Sequence, residues 1–201
     1  MSSAVAEPPP SLRDRQRAQL RADIHAAAYH LFAARGFANV TTEEIAARAA
    51  VSPRTFFRHV ATKEELLLGA VQRGGAAIAA LLQLRPTDES PDVALAAAIV
   101  GRVESFDGVG LQNWRAAILT APPLLDRVTL LVATDRTRMV ELVAARMGAD
   151  PGTDSRPGLL VQLSFAAADY AFQRWVRDPG HQSLARDVSD AVAVVTNPRW
   201  H

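Results

Sequence analysis

Three signals for the start of a helix lie close together between residues 41 and 65 of this chain. Residues 41–44 read Thr-Thr-Glu-Glu, a capping box in which the first threonine accepts from a backbone N–H and the last glutamate reaches back. Residues 52 and 53 are Ser-Pro, a capping hydroxyl followed by a proline at the first helical position. Residues 62–65, Thr-Lys-Glu-Glu, form a second capping box. These signals predict two short helices, at about 42–49 and 53–59, with the spacing of a helix-turn-helix.

A longer helix is predicted to precede this pair. Apolar residues recur at three- and four-residue steps from Leu20 to Phe32, which marks one face of a helix, and Gly36 supplies a left-handed stop. Three consecutive prolines at residues 8–10 cannot lie inside a helix, so residues 1–12 are predicted to be a disordered tail. The first folded unit is therefore predicted to span residues 13–65.

Residues 66–201 differ from the first unit in composition and in the spacing of apolar residues. Long stretches of Ala, Leu and Val with helical periodicity are separated by breaks rich in proline and glycine, and no sustained alternating run predicts a sheet. The chain is therefore predicted to be all-α, with about nine helices in total and a larger helical unit at the C-terminus. One long helix is predicted at about 124–148.

Charge and composition limit the partners that the whole chain can attract. The 201 residues include 22 Lys and Arg against 21 Asp and Glu, so the net charge is +1 and any attraction to nucleic acid must be local. No uninterrupted apolar run approaches the ~20 residues that span a bilayer, and the N-terminus lacks a secretion signal. We expect a soluble cytoplasmic protein without a membrane partner.

Enzymatic chemistry is not indicated by the sequence. The chain has no cysteine, which removes thiolate nucleophiles and Cys-based metal sites. The 5 histidines show no metal-ligand spacing, and neither a phosphate-binding glycine loop nor a nucleophile elbow occurs. We therefore expect no catalytic residue, no metal and no cofactor.

The segment from residue 36 to residue 66, GFANVTTEEIAARAAVSPRTFFRHVATKEEL, resembles the DNA-binding signature of the tetracycline-repressor (TetR) family of bacterial transcription regulators. The resemblance implies a three-helix DNA-binding domain followed by a domain that dimerises and binds a small-molecule effector. It implies a homodimeric, ligand-responsive repressor of a palindromic double-stranded DNA operator. An activator of the same fold, or a helical ligand-binding or protein-interaction module with a non-functional DNA head, remains an alternative.

The residue types of the second short helix suit a DNA groove. A helix led by Ser52 and Pro53 can enter a major groove by its N-terminus, where an arginine can bind guanine and a threonine methyl can contact thymine. Threonines and a lysine at the neighbouring helix starts lie where backbone N–H groups favour a phosphate. The predicted DNA-binding residues are Thr41, Thr42, Ser52, Pro53, Arg54, Thr55, Phe57, Arg58, His59 and Lys63.

Two positions depart from the family pattern. Phe57 stands where relatives commonly carry tyrosine, so its contact with the DNA backbone can only be apolar. Ala50 stands in the turn where relatives usually carry glycine. A left-handed alanine costs about 1 kcal/mol, so the turn is predicted to be either slightly strained or shaped differently. Four N-terminal arginines form either a DNA-contacting arm or an ordinary solvated face; they are Arg13, Arg15, Arg17 and Arg21.

The C-terminal unit offers candidates for an effector pocket and a dimer seam. An apolar or amphipathic effector would contact large apolar side chains and polar groups on apolar helices; the predicted residues are Phe106, Trp114, Arg115, Met139, Phe165, Asp169 and Phe172. Two apolar stripes suit a four-helix seam between protomers; the predicted residues are Leu160, Leu163, Ala167, Tyr170, Leu184, Val188, Ala191 and Val195. The alternative for both sets is burial in the core of the chain's own domain.

Overall fold

The computed structural model describes residues 11–105, 108–178, 180–181 and 183–196. Every regular element within these ranges is helical, which confirms the all-α prediction. A turn of 3-10 helix, Phe37–Asn39, follows the first α-helix. The α-helices are α1 (Leu12–Arg35), α2 (Thr42–Arg48), α3 (Pro53–His59), α4 (Glu65–Gln72), α5 (Gly74–Leu84), α6 (Pro91–Glu104), α7 (Gly108–Ile118), α8 (Pro122–Leu125), α9 (Ala133–Met147), α10 (Arg156–Arg177) and α11 (Leu184–Thr196).

We refer to residues 11–64 as the head. Its helices α1 to α3 pack around Phe32, Ile45 and Phe56, all of which are buried. The predicted helix pair is confirmed, with α2 and α3 at residues 42–48 and 53–59. Of the predicted tail, residues 1–10 lie outside the described ranges. Ser11 and Leu12, the last two residues of the predicted tail, are folded instead. Ser11 caps α1 by accepting from the Asp14 backbone N–H at 3.2 Å, and Leu12 begins this helix.

We refer to residues 65–196 as the body. Helix α10 packs against α11, α9 and α6, while α5 packs against α6 and α9. Helix α4 leads from the head into this bundle, and α1 also packs against α7 of the body. The Phe37 backbone N–H donates to the Thr120 hydroxyl at 3.0 Å, so the end of α1 is tied to the segment after α7. Head and body therefore share one continuous core.

The long helix predicted at about 124–148 is wrong. The structure has two helices, α8 and α9, and residues 126–132 between them are not helical. Val128 and Leu131 in this connection are buried, and the Leu130 N–H donates to the Asp169 carboxylate at 2.9 Å. Turn bonds from the Asp126, Arg127 and Val128 N–H groups, together with the Asp169 carboxylate, satisfy backbone donors that a continuous helix would have paired. This break adds one helix, and the described residues contain eleven α-helices where about nine were predicted.

One stretch of the described residues, Glu65–Leu84, is long and apolar enough to cross a membrane when judged by length and composition alone. It comprises α4 and α5, which are separated at Arg73, and just over half of it is buried inside the fold. Buried core helices meet the same two criteria. We assign this stretch to the protein core.

Candidate nucleic-acid interface and internal cavity

The start of α3 presents a capped helix terminus to the surface. The Ser52 hydroxyl accepts from the Thr55 backbone N–H at 3.1 Å and donates to the Thr55 hydroxyl at 3.0 Å. Pro53 occupies the first helical position, where its missing N–H leaves no bond unmade. Arg54 is exposed and takes part in no ion pair with the described residues. Its guanidinium is therefore available to an external acceptor.

The start of α2 carries the predicted capping box. The Thr41 hydroxyl accepts from the Glu44 N–H at 3.2 Å, and the Glu44 carboxylate accepts from the Thr41 N–H at 2.8 Å. The bond from the Thr41 N–H contributes most to lowering the pKa of Glu44 below its ordinary range. The bond from Arg35, at 2.7 Å, contributes next. The hydroxyls of Thr41 and Thr42 donate to the carboxylates of Glu44 and Glu43. A phosphate contact from either hydroxyl therefore requires it to leave a carboxylate.

The turn between α2 and α3 has a left-handed residue at Ala50, which is the strained one of the two alternatives. Its φ of 54° is the one positive φ of a non-glycine residue in the described ranges. The Val51 N–H donates to the Ala46 carbonyl at 3.0 Å and the Ala50 N–H to the Ala47 carbonyl at 3.1 Å. These two bonds form a Schellman motif, which ends α2 and directs the chain into α3.

Two predicted DNA contacts, Lys63 and His59, have unexpected surroundings, whereas a third, Phe57, is exposed as expected. Lys63 donates to the Phe37 and Val40 carbonyls, both at 2.9 Å, so two of its three N–H groups hold the head together. Phe57 is 53% exposed, as a surface contact requires. The His59 ring is half-buried and its Nδ1 is buried without a partner in the described structure. The predicted phosphate contact of His59 would therefore not involve Nδ1.

The second predicted capping box is only half formed. The Thr62 hydroxyl accepts from the Glu65 N–H at 3.2 Å, as predicted. The Glu65 carboxylate instead accepts from the Ala61 N–H at 2.9 Å, one residue before the expected donor. Helix α4 consequently begins at Glu65.

An apolar cavity of about 350 Å³ lies beside α1, α4 and the body helices α5, α6, α7 and α10. Two aromatic residues of its wall are bonded to consecutive carbonyls of α4. The Tyr29 hydroxyl donates to the Leu66 carbonyl at 3.2 Å, and the Trp114 Nε1–H donates to the Leu67 carbonyl at 2.8 Å. The cavity wall is thereby joined to the helix that connects head and body.

Two of the predicted effector-binding residues, Trp114 and Phe172, line this cavity. Met139 and Phe165 are buried but do not line it. Asp169 is half-buried and accepts from the Leu130 N–H, while burial raises the pKa of its carboxyl. The structure therefore gives Asp169 a role in holding the α8–α9 connection. The seventh predicted residue, Phe106, lies outside the described residues.

Arg115 was also predicted as an effector contact, and the structure corrects this prediction. Its guanidinium donates to three main-chain carbonyls at the end of α10, those of Val176 at 3.2 Å, Asp178 at 2.7 Å and His181 at 3.4 Å. It also lies over the Trp175 ring, 4.8 Å from the centroid. Arg115 therefore caps α10, because it satisfies carbonyls that have no partner within the helix.

Sequence reasoning missed the polar residues that line one side of the cavity. They are Arg21, His25, Arg73 and Arg102. Arg21 and His25 lie on α1, Arg73 separates α4 from α5, and Arg102 lies on α6. No sequence spacing connects three such elements, so only the tertiary structure brings these residues together.

The two predicted dimer stripes differ in exposure. On α10, Leu163 and Tyr170 are 54% and 63% exposed, while Leu160 and Ala167 are half-buried. On α11, Leu184 and Val188 are buried in the chain's own core, which withdraws them from any surface that a partner could contact. The last two predicted residues, Ala191 and Val195, are half-buried. The α10 stripe therefore remains a candidate interface, and Leu159 extends it with 56% exposure.

The sequence matches two known family models. Residues 24–70 match the model of bacterial regulatory proteins of the tetR family, and residues 89–199 match that of the MftR C-terminal domain. A curated relative, the HTH-type transcriptional regulator TcmR of Streptomyces glaucescens, is 33% identical over 174 residues. That alignment covers 83% of this chain and 77% of TcmR.

Solved structures share the fold at low sequence identity. SmeT, the repressor of the Stenotrophomonas maltophilia multidrug efflux pump SmeDEF, has a TM-score of 0.56 and 19% identity, covering 87% of this chain and 89% of SmeT. SmeT has also been solved in complex with triclosan. The fatty acid degradation regulator FadR from Bacillus halodurans has a TM-score of 0.58 and 16% identity, covering 98% of this chain and 100% of FadR.

Proposed function

This chain belongs to the TetR family of bacterial transcription regulators, and we propose that it is a homodimeric, effector-responsive repressor of a palindromic operator. Regulators of this family bind DNA and are not enzymes. The observation that carries the proposal is the exposed Arg54 at the capped start of α3, beside a turn that fixes the orientation of this helix. We place its action in the cytoplasm, where it meets chromosomal DNA.

Sequence reading is assigned to the first turn of α3. Arg54 can form two hydrogen bonds with the O6 and N7 of guanine, a contact worth about 1–3 kcal/mol of discrimination. The Thr55 hydroxyl is engaged by Ser52, which leaves its methyl group as the group suited to thymine. Pro53, Phe57 and the exposed Arg58 border this surface. Backbone N–H groups at the start of α2 that the capping box leaves unbonded would hold a phosphate and fix the register.

Dimerisation is assigned to α10. Leu159, Leu163 and Tyr170 share one helical face and are all exposed in the single chain. This face extends over about 16 Å at 1.5 Å per residue. A two-fold interface through this face would present two copies of α3 to half-sites about one helical turn, roughly 34 Å, apart or a multiple of that distance.

The cavity supplies a route from an effector to the head. Tyr29 and Trp114 line it and hold the Leu66 and Leu67 carbonyls of α4. A ligand that binds more tightly when these contacts are rearranged would shift the population toward a form that does not fit the operator. The complex of SmeT with triclosan supports a small-molecule effector for a protein of this fold.

The test is selection from a pool of random duplex DNA at about 0.15 M salt. We expect the wild-type protein to enrich a two-fold symmetric motif. Arg54→Ala should lose that enrichment, because each half-site loses its guanine contact, while its circular dichroism spectrum stays unchanged. Arg136→Ala, which removes an exposed arginine of α9, is the matched control and should enrich the same motif as wild type. Selection of the same symmetric motif by Arg54→Ala would overturn the proposed reading role.

A further inference from the structure

A second cleft adjoins the apolar cavity and shares three residues with it. This cleft of about 260 Å³ lies between α1, the end of α3 and the start of α4. Arg21, His25 and Arg73 line both spaces. The apolar cavity and this second cleft, which we call the polar chamber, therefore meet at these three side chains. A single molecule with one apolar part and one polar part would match this arrangement.

The polar chamber has a positive balance of charge. The charges of Arg58, Arg21 and Arg17, in addition to burial, lower the pKa of His59. Arg73 acts in the same direction on the pKa of His25, again after burial. These arginines therefore lie close enough to the two histidines to disfavour the charged form of each imidazole.

One carboxylate, that of Glu65, lines the polar chamber, and it already accepts from the Ala61 N–H. Neither Arg21 nor Arg73 forms an ion pair with any carboxylate of the described residues. In the same chamber the buried Nδ1 of His59 has no hydrogen-bond partner in the described structure. The chamber thus contains two arginines and a buried imidazole nitrogen that suit an anionic group.

Resting on the proposed function, we propose that the effector is an amphipathic anion whose apolar body fills the cavity and whose anionic group lies between Arg21 and Arg73. Trp114, Phe172 and the aliphatic wall would contact the apolar body. A carboxylate or a phosphate can accept from both guanidinium groups, since both offer paired N–H donors.

The position of the anion would link the two units of the fold. Arg21 belongs to α1 of the head, whereas Arg73 lies between α4 and α5 of the body. An anion that binds both would set the distance between α1 and the α4–α5 junction. His59, the last residue of α3, lines the same chamber. Effector binding would therefore act directly on the end of α3, the helix proposed to read the DNA sequence.

The test uses decanoate as the anionic probe and 1-decanol as its neutral counterpart with the same chain length. Binding is measured without DNA, by the change in tryptophan fluorescence, so the result does not depend on operator recognition. We expect decanoate to bind at least tenfold more tightly than decanol. Equal affinity of the two probes, or binding of neither, would overturn the anionic assignment.

Variants locate the anionic group. Arg73→Gln should weaken decanoate binding about tenfold or more while leaving decanol affinity unchanged. Arg73→Lys should lose less than Arg73→Gln, because it keeps the charge but not the paired donors. Arg136→Gln, on exposed α9, is the matched control and should bind both probes as wild type does. An equal loss of both probes in Arg73→Gln would contradict a specific contact with the anion. Leu111→Trp, which fills the cavity, should weaken both probes.

Decyl phosphate distinguishes the two sources of negative charge. Tighter binding of decyl phosphate than of decanoate assigns a phosphate-bearing effector, and the reverse order assigns a carboxylate. Addition of the tighter probe to the complex with the selected DNA should then lower operator affinity. Probe binding without any selected DNA motif would contradict the proposed regulator function but leave the anion site intact. A selected motif without probe binding would contradict only the anion site.

Discussion

Helix ends in the head and in the body are stabilised by different means. In the head, Ser11, Thr41 and Ser52 each accept from the N–H of a residue three positions later. Each of these caps is contained within one turn of helix and is exposed to solvent. The geometry of the head therefore depends on hydrogen bonds between residues that are neighbours in the sequence.

The body relies on contacts between distant segments. Helices α6, α8, α9 and α10 have no side-chain hydrogen bond from their N-cap residue. Arg146 donates to the carbonyls of Leu82, Arg85 and Pro86 at the end of α5, all at 2.8 Å. Arg115 does the same at the end of α10. The starts of α1, α2 and α3 in the head are thus capped locally, whereas the ends of α5 and α10 in the body are held by arginines from distant segments.

The largest effect on stability is expected where one body side chain holds a distant helix end. Arg115→Met keeps the aliphatic part but removes three charge-assisted bonds, so we expect a loss of about 2–3 kcal/mol. For a chain of this size that corresponds to a fall in Tm of roughly 4–12 °C by thermal unfolding. Arg136→Met, on the exposed face of α9, should change Tm by less than about 1 °C. A comparable fall in Tm in Arg115→Met and Arg136→Met would contradict the role of Arg115 in holding the end of α10.

Removal of one local cap should have a smaller effect. Thr41→Ala deletes the hydroxyl that accepts from the Glu44 N–H, and a lost N-cap costs about 1 kcal/mol. We expect Tm to fall by roughly 2–4 °C. Thr41→Ser should restore most of the loss because it keeps the hydroxyl. A loss as large as that of Arg115→Met would show that the head is not locally stabilised.

The turn of the head offers a change in the opposite direction. Ala50 has a φ of 54°, which glycine adopts without the steric cost paid by alanine. Ala50→Gly should raise the free energy of unfolding by up to about 1 kcal/mol in urea titrations. Ala49→Gly, whose position has a φ of −79°, is the control and should destabilise the chain. A loss of stability in both variants would contradict strain at Ala50.

The smallest effect is expected in the pH dependence at the junction of head and body. Burial and then the charge of Arg73 lower the pKa of His25. As pH falls through about 6.5, the unfolded chain binds a proton that folded His25 does not, so stability present above that pH is lost. His25→Gln should therefore reduce the loss of unfolding free energy between about pH 7.5 and 5.5. His30→Gln, exposed on the same helix, is the control. An equal change of unfolding free energy with pH in wild type and His25→Gln would contradict this role of His25.

This contrast explains which features could be predicted from the sequence. The starts of α2 and α3 follow from signals within four residues of each helix start. The left-handed backbone at Ala50 was only one of two alternatives, because its φ depends on the shape that the turn adopts. The break between α8 and α9 was missed because the Leu130 N–H is satisfied by Asp169, which lies 39 residues away in the sequence. The spacing of apolar residues favours one long helix, and it carries no information about a contact with a residue so far along the chain.

The apolar cavity was harder to predict for the same reason. Its polar side combines Arg21, Arg73 and Arg102 from three separate helical regions. Arg115 has the residue type expected of a ligand contact, yet its donors bind main-chain carbonyls 61 or more residues away. Residue type alone could not separate an arginine that caps a helix from one that faces a cavity.

The central claim is that two chains pair through α10 and read one symmetric site with two copies of α3. Its most direct test is the mass of the protein on the selected duplex, determined by light scattering. We predict an even number of wild-type chains per duplex, and one chain with weaker binding for Leu163→Asp. The control Leu84→Asp, at a leucine that is 82% exposed on α5, should behave as wild type. A single wild-type chain on the symmetric site, or an unchanged complex with Leu163→Asp, would contradict the claim.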